Sequence, residues 1–165
     1  MKTKKQSTKN EAIKHPLIVL AADHAGFKLK ESVKAFLIAE GYNILDVGAH
    51  ELVDGDDYPV YMTAAAMKVA EDLSGATKAV IFGGSGQGEA IVANRFPGVR
   101  AAVWYGGNEE VLEFSRKDND SNILSLGARF VDDKIACHVI ELWLTTQFSG
   151  DVRHERRIKE IDSIE

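Results

Sequence analysis

Short apolar runs alternate with amphipathic segments along the chain, and this alternation restricts the fold more than any other sequence feature. PLIVLAADH, YNILDVG, KAVIFG, VRAAVWY and NILSLG have the length and apolar character of buried strands. Between the first two, FKLKESVKAFLIAEG places Leu29, Val33, Phe36 and Leu37 on one face of a helix that stops at Gly41. This strand–helix alternation predicts a parallel sheet with helices on both faces.

Further helices are expected after the second, third, fourth and fifth strands. Pro59 suits the first turn of a helix that runs to about residue 73. The glycine-rich turn GGSGQG opens another, and GNEEVLEFSRKD, VDDKIACHVIELWLTT and the tail DVRHERRIKEIDSIE predict three more. No linker divides these segments, so we expect one domain over residues 16–165, including the helical tail. Residues 1–15, MKTKKQSTKNEAIKH, are interpreted as a disordered basic extension.

Charge and cysteine content narrow the choice of partners and compartment. The extension holds five lysines against one glutamate, which leaves −9 on the remaining body of a chain whose formal net charge is −5. Such an acidic body argues against nucleic-acid binding, so an anion would need a local cluster of positive charge. No apolar run approaches the roughly 20 residues of a membrane span. A single cysteine, Cys137, excludes an internal disulfide and a cysteine-built metal site, which makes the cytoplasm the default location.

Candidate site residues follow three of the predicted strands. Asp23 and His24 come after the first, the glycine turn after the third, and Arg129 soon after the fifth. Because ligands of such sheets bind at the carboxyl ends of the strands, we expect these groups to share one edge.

The glycine turn FGGSGQGEAIVANR lacks the sequence of the common phosphate-binding loops and of the esterase elbow. Glu89 in the first helical turn would also repel a bound pyrophosphate. The backbone N–H groups of residues 84–88 could instead hold an oxygen that gains charge during a reaction, with Glu89 as the base. Alternatively, Glu89 only caps the helix, where the dipole favours it by roughly 0.3–1 kcal/mol.

The tail supplies the concentrated positive charge that the body lacks. In RHERR, Arg153 and Arg157 stand four residues apart, so on a helix they share a face and could grip one phosphate. The alternative is a solvated terminal helix with salt bridges to Glu155 and Glu160.

Five ordered motifs resemble the ribose-5-phosphate isomerase type B family, which includes galactose-6-phosphate and allose-6-phosphate isomerases. They are ADHAGFKLK, DGDDYP, GGSGQGEAIVANR, SRKDNDSNILSLGAR and RHERR, and the match runs from about residue 17 to the end. The resemblance implies a Rossmann-like three-layer α/β/α sandwich around a five-stranded parallel sheet. It also implies a homodimer or dimer of dimers with active sites between subunits. The implied reaction interconverts aldose and ketose phosphates through an enediolate, without a metal or organic cofactor.

The resemblance also implies a role for each site residue. Glu89 is similar to the base that moves a proton between C1 and C2, and Asp23 to a residue near the ring oxygen and hydroxyls of the sugar. The residues that match the turn stabilising the enediolate are Gly84, Ser85, Gly86 and Gly88. The residues that match phosphate ligands, some of them contributed across the subunit boundary, are His24, Arg129, Arg153 and Arg157. Tyr58 and Asn119 match residues that line the sugar.

One position departs from the family pattern. Its ribose-5-phosphate isomerases usually place a histidine, implicated in opening the furanose ring, directly before Asn119, whereas this chain has Asp118. Aspartate is a poor proton donor at neutral pH unless burial restores its proton. The resemblance nevertheless makes ribose 5-phosphate the expected substrate. A tetrose 4-phosphate, which cannot close a furanose, or a hexose 6-phosphate is the alternative, and a non-catalytic sugar-phosphate-binding subunit is a third possibility.

Overall fold

The computed structural model describes residues 16–164. The predicted extension over residues 1–15 and residue 165 lie outside the described residues. Strands and helices alternate as expected, and the helix that begins at Tyr58 ends shortly before the expected residue 73. In chain order the elements are β1 Leu17–Ala22, α1 Phe27–Ala39, β2 Asn43–Asp46, α2 Tyr58–Ala70, β3 Lys78–Gly83, α3 Gln87–Ala93, β4 Ala101–Trp104, α4 Glu110–Lys117, β5 Ile123–Gly127, α5 Asp133–Thr145 and α6 Val152–Asp162.

All five strands pair in parallel, in the order β2-β1-β3-β5-β4. The predicted five-stranded parallel sheet is therefore confirmed. Ala22 pairs with Phe82 and Gly83 with Gly127, so β1, β3 and β5 end side by side. From β1 the chain passes to β2 on one side and then to β3 on the other, and such a switch point opens a crevice at the carboxyl ends of the strands.

The core has two faces because successive strand residues point to opposite sides of the sheet. In β1, Ile18 and Leu20 are fully buried in the cluster that α1, α4 and α5 cover, whereas Val19 and Ala21 are fully buried in the cluster that α2 and α3 cover. The three-layer α/β/α sandwich is confirmed. Cys137 packs half-buried against the first cluster, as a core residue of α5. None of the described helices is long and apolar enough to cross a membrane.

A buried lysine ties α1 to the sheet, and the sequence pattern gave no sign of it. The Lys30 side chain is fully buried, and its Nζ donates to Asp46 Oδ1 at 2.7 Å and to the Ala49 carbonyl at 2.6 Å. Lys34 donates to the other Asp46 oxygen at 2.8 Å. These bonds fix the end of β2 and the start of the loop that leads to α2.

The terminal helix α6 lies along the amino ends of the strands. Near its start, His154 is buried with its Nε2 3.5 Å from Asp118 Oδ1, just beyond the end of α4. Near its end, Asp162 Oδ1 lies 3.4 Å from the guanidinium of Arg100, which directly precedes β4. The arginine-rich tail is therefore fixed at the edge opposite to the ends of β1, β3 and β5.

Candidate active site

The three groups expected at the carboxyl edge of the sheet do meet there. The backbone N–H of Arg129, after β5, donates to the Gly84 carbonyl, after β3, at 3.2 Å. The Arg129 guanidinium lies so close that a Cβ added at Gly84 would stand 3.0 Å from its Cζ. Asp23, after β1, is buried and acts electrostatically on Glu89. The edge thus combines two carboxylates, a guanidinium and a glycine turn.

Glu89 is folded back over the end of β3 rather than into solvent. It is only 4% exposed, although it belongs to the first turn of α3. A Cβ added at Gly83 would lie 1.8 Å from its Oε1, so a residue without a side chain is required there. Gly86 precedes α3 with φ of 79°, a conformation that favours glycine. The glycine turn therefore makes the space in which the carboxyl group lies.

Burial is the main influence on the acidity of this carboxyl group. It raises the pKa of Glu89, and the negative charge of Asp23 raises it further. The backbone N–H groups of Glu89 and Gly86 and the charge of Arg129 act in the opposite direction but do not outweigh burial. A carboxylate whose pKa moves towards neutrality is suited to accept and return a proton.

The rest of the glycine turn offers backbone hydrogen-bond donors and packs against the ring of Tyr58. The backbone N–H groups of Gly84 and Ser85 donate no hydrogen bond to another residue of the described chain. Ser125 Oγ donates to the Gly86 carbonyl at 2.7 Å and so pins the turn to β5. The Tyr58 ring, at the start of α2, lies against Gly88, where an added Cβ would stand 2.8 Å from its hydroxyl oxygen. The turn therefore presents unused donors beside a buried carboxylate.

Asp23 and His24 form the β1 side of the site. Asp23 Oδ1 accepts from the Gly26 backbone N–H at 3.0 Å, and the close approach of Gly26 to the Phe82 carbonyl leaves no room for a Cβ. His24 Nδ1 lies 2.8 Å from Asp56 Oδ1. Asp56 was not among the predicted site residues, and its only sequence signal was its place in DGDDYP.

Asp23, His24 and Asp56 also offer three ligand atoms within 4.8 Å of one another. The hydrogen bond between His24 and Asp56 accounts for this closeness, and we assign no metal to the group.

Four predicted site residues lie at the opposite edge of the sheet within this chain. Asp118 and Asn119 precede β5, whose five residues span about 13 Å. The Asp118 side chain is 40% exposed and Asn119 lines a surface cleft with Arg100 and Ile161. Arg153 and Arg157 are exposed on α6 at this same edge. One chain therefore does not bring these four residues to Glu89.

The arginines of α6 are only partly neutralised. Arg156 pairs with Glu160 at 3.8 Å. A salt bridge to Glu160 was part of the alternative interpretation of this tail as a solvated helix. Arg153 Nε lies 3.6 Å from Asp151 and 3.2 Å from His154 Nε2. Arg157 forms no ion pair with any residue in the described range. Positive charge therefore stays available on the exposed face of α6.

Comparisons with known proteins identify relatives that match most of the chain. A family model described as Ribose/Galactose Isomerase matches residues 18–161. Ribose-5-phosphate isomerase B of Mycolicibacterium paratuberculosis is 35% identical over 141 residues, which cover 86% of each chain. Ribose-5-phosphate isomerase B of Escherichia coli strain K12 is 34% identical over 149 residues, 90% of this chain and 95% of the relative.

Solved structures agree with the sequence relatives. Ribose-5-phosphate isomerase B from Mycoplasma genitalium with bound ribulose 5-phosphate superposes with a TM-score of 0.83 at 32% identity, covering 88% of this chain and 93% of that one. The Thermotoga maritima ribose 5-phosphate isomerase gives a TM-score of 0.82 at 35% identity and covers 91% and 99% of the two chains.

Proposed function

The chain belongs to the ribose/galactose isomerase family, and we propose that it interconverts ribose 5-phosphate and ribulose 5-phosphate. The observation that carries this proposal is the buried Glu89 carboxyl group, folded over Gly83 beside unused backbone donors. A buried base next to an anion-stabilising turn suits proton abstraction beside a carbonyl group.

In the proposed reaction, the Glu89 carboxylate removes the proton from C2 of the open-chain aldose. The electron pair left on C2 forms the C1–C2 double bond of an enediolate, and O1 gains the negative charge. The N–H groups of Gly84 and Ser85 stabilise that charge. Glu89 then returns the proton to C1, while a proton passes from O2 to O1, which gives the ketose with no net loss of atoms or electrons. Asp23 binds sugar hydroxyl groups beside the base.

A second subunit completes the site in this proposal. The carboxyl edge already holds the carboxylates of Asp23, Glu89 and Asp56, and the substrate phosphate adds a charge of about −1.5 to −2. Arg153 and Arg157 of a partner subunit add positive charge to that of Arg129. Asn119 of that subunit lines the sugar, and its Asp118 stands at the position of the ring-opening histidine. A homodimer or a dimer of dimers is the expected assembly, and the cytoplasmic setting stays a prediction.

Mixed dimers test the shared site. Glu89→Gln and Arg157→Ala variants are each expected to lose activity, because each damages every site of its own dimer. Mixing them under conditions of subunit exchange should restore about a quarter of the wild-type rate, since half of the dimers then carry one intact site. Activity that stays lost after proven exchange contradicts a site built from two subunits.

The activity itself is tested with four-, five- and six-carbon aldose and ketose phosphates, with interconversion followed by proton NMR. Turnover of ribose 5-phosphate that Glu89→Gln abolishes supports the proposal. Turnover restricted to another sugar phosphate would replace the substrate and keep the chemistry.

A tetrose 4-phosphate is the second candidate substrate, and Asp118 is the observation that favours it. This aspartate stands where the family's ribose-5-phosphate isomerases usually have the histidine implicated in ring opening, and its side chain is 40% exposed. A tetrose 4-phosphate needs no ring opening, so faster turnover of four-carbon than of five-carbon phosphates would favour this candidate.

A non-catalytic binding subunit is the third candidate. It predicts that phosphosugars raise the thermal stability of the protein while no solvent deuterium enters C2 of any of them.

A further inference from the structure

We propose that Asp56 is a positioning residue that fixes the ring orientation and the charge of His24 for contact with the substrate phosphate. The proposal deepens the proposed function and rests on it for the identity of the ligand. The observation behind it is that one carboxylate oxygen of Asp56 accepts two hydrogen bonds from the same histidine.

The geometry restricts the His24 ring. Asp56 Oδ1 accepts from the His24 backbone N–H at 2.8 Å and pairs with ring Nδ1 at 2.8 Å. A ring held at its backbone and at Nδ1 can present only Nε2 to a ligand. Within residues 16–164, Nε2 of His24 takes part in no hydrogen bond. Asp56 therefore selects which nitrogen is left for the substrate.

Asp56 is itself buried and fixed, as this role requires. Its side chain is 7% exposed, whereas that of His24 is 30% exposed. Burial raises the pKa of Asp56, but the two hydrogen bonds from His24 and the nearby Tyr61 hydroxyl outweigh burial and lower it, so the group stays a carboxylate. The loop residue thus places a permanent negative charge behind a ring that remains open to solvent.

Among residues 16–164, the charged groups that act on His24 are all carboxylates. Asp23 Oδ2 lies 3.9 Å from Nδ1, Asp56 is bonded to it, and the exposed Asp54 acts at longer range. The hydrogen bond to Asp56 raises the pKa of His24 above 6.5, and the three negative charges add to this effect against a smaller opposing effect of burial. The ring therefore keeps its proton to a higher pH and can offer a charged donor to an anion.

The charge of His24 can be measured without any activity. Proton NMR of the five histidines across pH 5 to 9, with the His24 resonance assigned by its loss in His24→Gln, gives the titration midpoint. Asp56→Asn keeps the shape and removes the charge, and we expect it to lower the His24 midpoint. Asp54→Asn is the matched control, because it removes a neighbouring carboxylate that forms no hydrogen bond with the ring, and its shift should be clearly smaller. Equal shifts in the two variants overturn the proposal.

Binding is measured by the KM for ribose 5-phosphate and by competitive inhibition with inorganic phosphate. At pH 7.5 we expect Asp56→Asn to raise both constants about tenfold while kcat stays within about twofold, since a charge-assisted hydrogen bond is lost only from phosphate binding. The increase should shrink towards pH 5.5, where His24 is protonated in both proteins. The ionisation of the phosphate is common to both proteins and cancels in their ratio.

A double-mutant cycle shows whether Asp56 acts through His24. In a His24→Gln background, Asp56→Asn should add almost nothing to KM. A full additional effect means that Asp56 contacts the substrate or holds the loop by itself, and that result overturns the proposal. If the wild-type protein isomerises no sugar phosphate, the proposed function fails. The His24 titration and phosphate-induced shifts of its resonance then still decide the role of Asp56.

Discussion

Replacing Glu89 by glutamine separates the two interpretations of this residue, a catalytic base and a helix cap. Glutamine has the same shape, and it fits over Gly83 as the glutamate does. It removes the negative charge and, with it, the ability to accept a proton. A general base typically contributes about 10²–10⁴ in rate, so kcat should fall by that factor, equivalent to about 3–5.5 kcal/mol of activation free energy.

The length of the side chain provides a second measurement. Glu89→Asp keeps the carboxylate but withdraws it by about one C–C bond, roughly 1.5 Å, from its place over Gly83. A misplacement of about 1 Å can reduce a rate about 10²-fold. We therefore expect Glu89→Asp to fall about a hundredfold below the wild type, which is the mild end of the range expected for Glu89→Gln.

Stability should change in the opposite direction to activity. The folded protein raises the pKa of Glu89 above its ordinary 4.5. The protonated Glu89 carboxyl group therefore stabilises the folded state below about pH 4.5, and this stabilisation is lost as the pH rises through the folded-state pKa. Glutamine never ionises and avoids this loss. The Tm of Glu89→Gln should equal or exceed that of the wild type at pH 7.5, and the difference should disappear below about pH 4.5.

The helix-cap interpretation predicts the reverse pattern. Loss of a favourable charge at the start of α3 would cost about 0.3–1 kcal/mol, or about 1–4 °C in Tm, with activity kept. Both quantities are measured on the same preparations by ribulose 5-phosphate formation and by thermal unfolding at several pH values. Glu110→Gln is the matched control, since Glu110 is an exposed acid in the first turn of α4. A Glu89→Gln protein that is active and less stable than the wild type refutes the catalytic assignment.

Three further changes probe other parts of the molecule. Gly83→Ala should remove most activity while the protein stays folded, because its Cβ would occupy the space of the Glu89 carboxyl group; circular dichroism and the isomerase assay check this. Lys30→Met should lower the free energy of unfolding in urea by about 3 kcal/mol, since it leaves the partly buried Asp46 carboxylate poorly paired, whereas Lys34→Met should cost about 1 kcal/mol or less. Asp118→His should increase kcat/KM for ribose 5-phosphate but not for a tetrose 4-phosphate, and equal effects on both substrates would argue against a ring-opening role.

The sequence predicted the fold well because strand alternation and amphipathic spacing are local signals. Each apolar run that became a strand is bounded by proline, glycine or polar residues, and Pro59 stands in the first turn of α2 as expected. The carboxyl-edge part of the site followed from the same logic, since residues that follow neighbouring parallel strands must meet. The meeting of Asp23, the glycine turn and Arg129 could therefore be predicted without information on long-range contacts.

The missed features all depend on contacts between distant segments. Asp56 reaches His24 across 32 residues, and Lys30 reaches Asp46 across 16, with nothing in the local pattern of either segment to indicate the partner. A lysine on an amphipathic helix is normally exposed, so its complete burial follows only from the position of β2 beside β1.

The separation of the site residues into two edges has the same origin, and it connects fold to function. Asp118 and Asn119 precede β5 and Arg129 follows it, so a single strand forces them to opposite ends of the sheet. No rearrangement of side chains can bring Asp118 to Glu89 in the same chain, because about 13 Å of rigid strand lies between them. The carboxyl edge holds the proposed base Glu89 together with Asp23 and Asp56, and the amino edge holds exposed arginines. In the proposed dimer, a second copy brings its amino edge to this carboxyl edge and so places its arginines near Glu89, where the phosphate of an anionic sugar needs them. The mixed-dimer experiment therefore tests the mechanism and the assembly together.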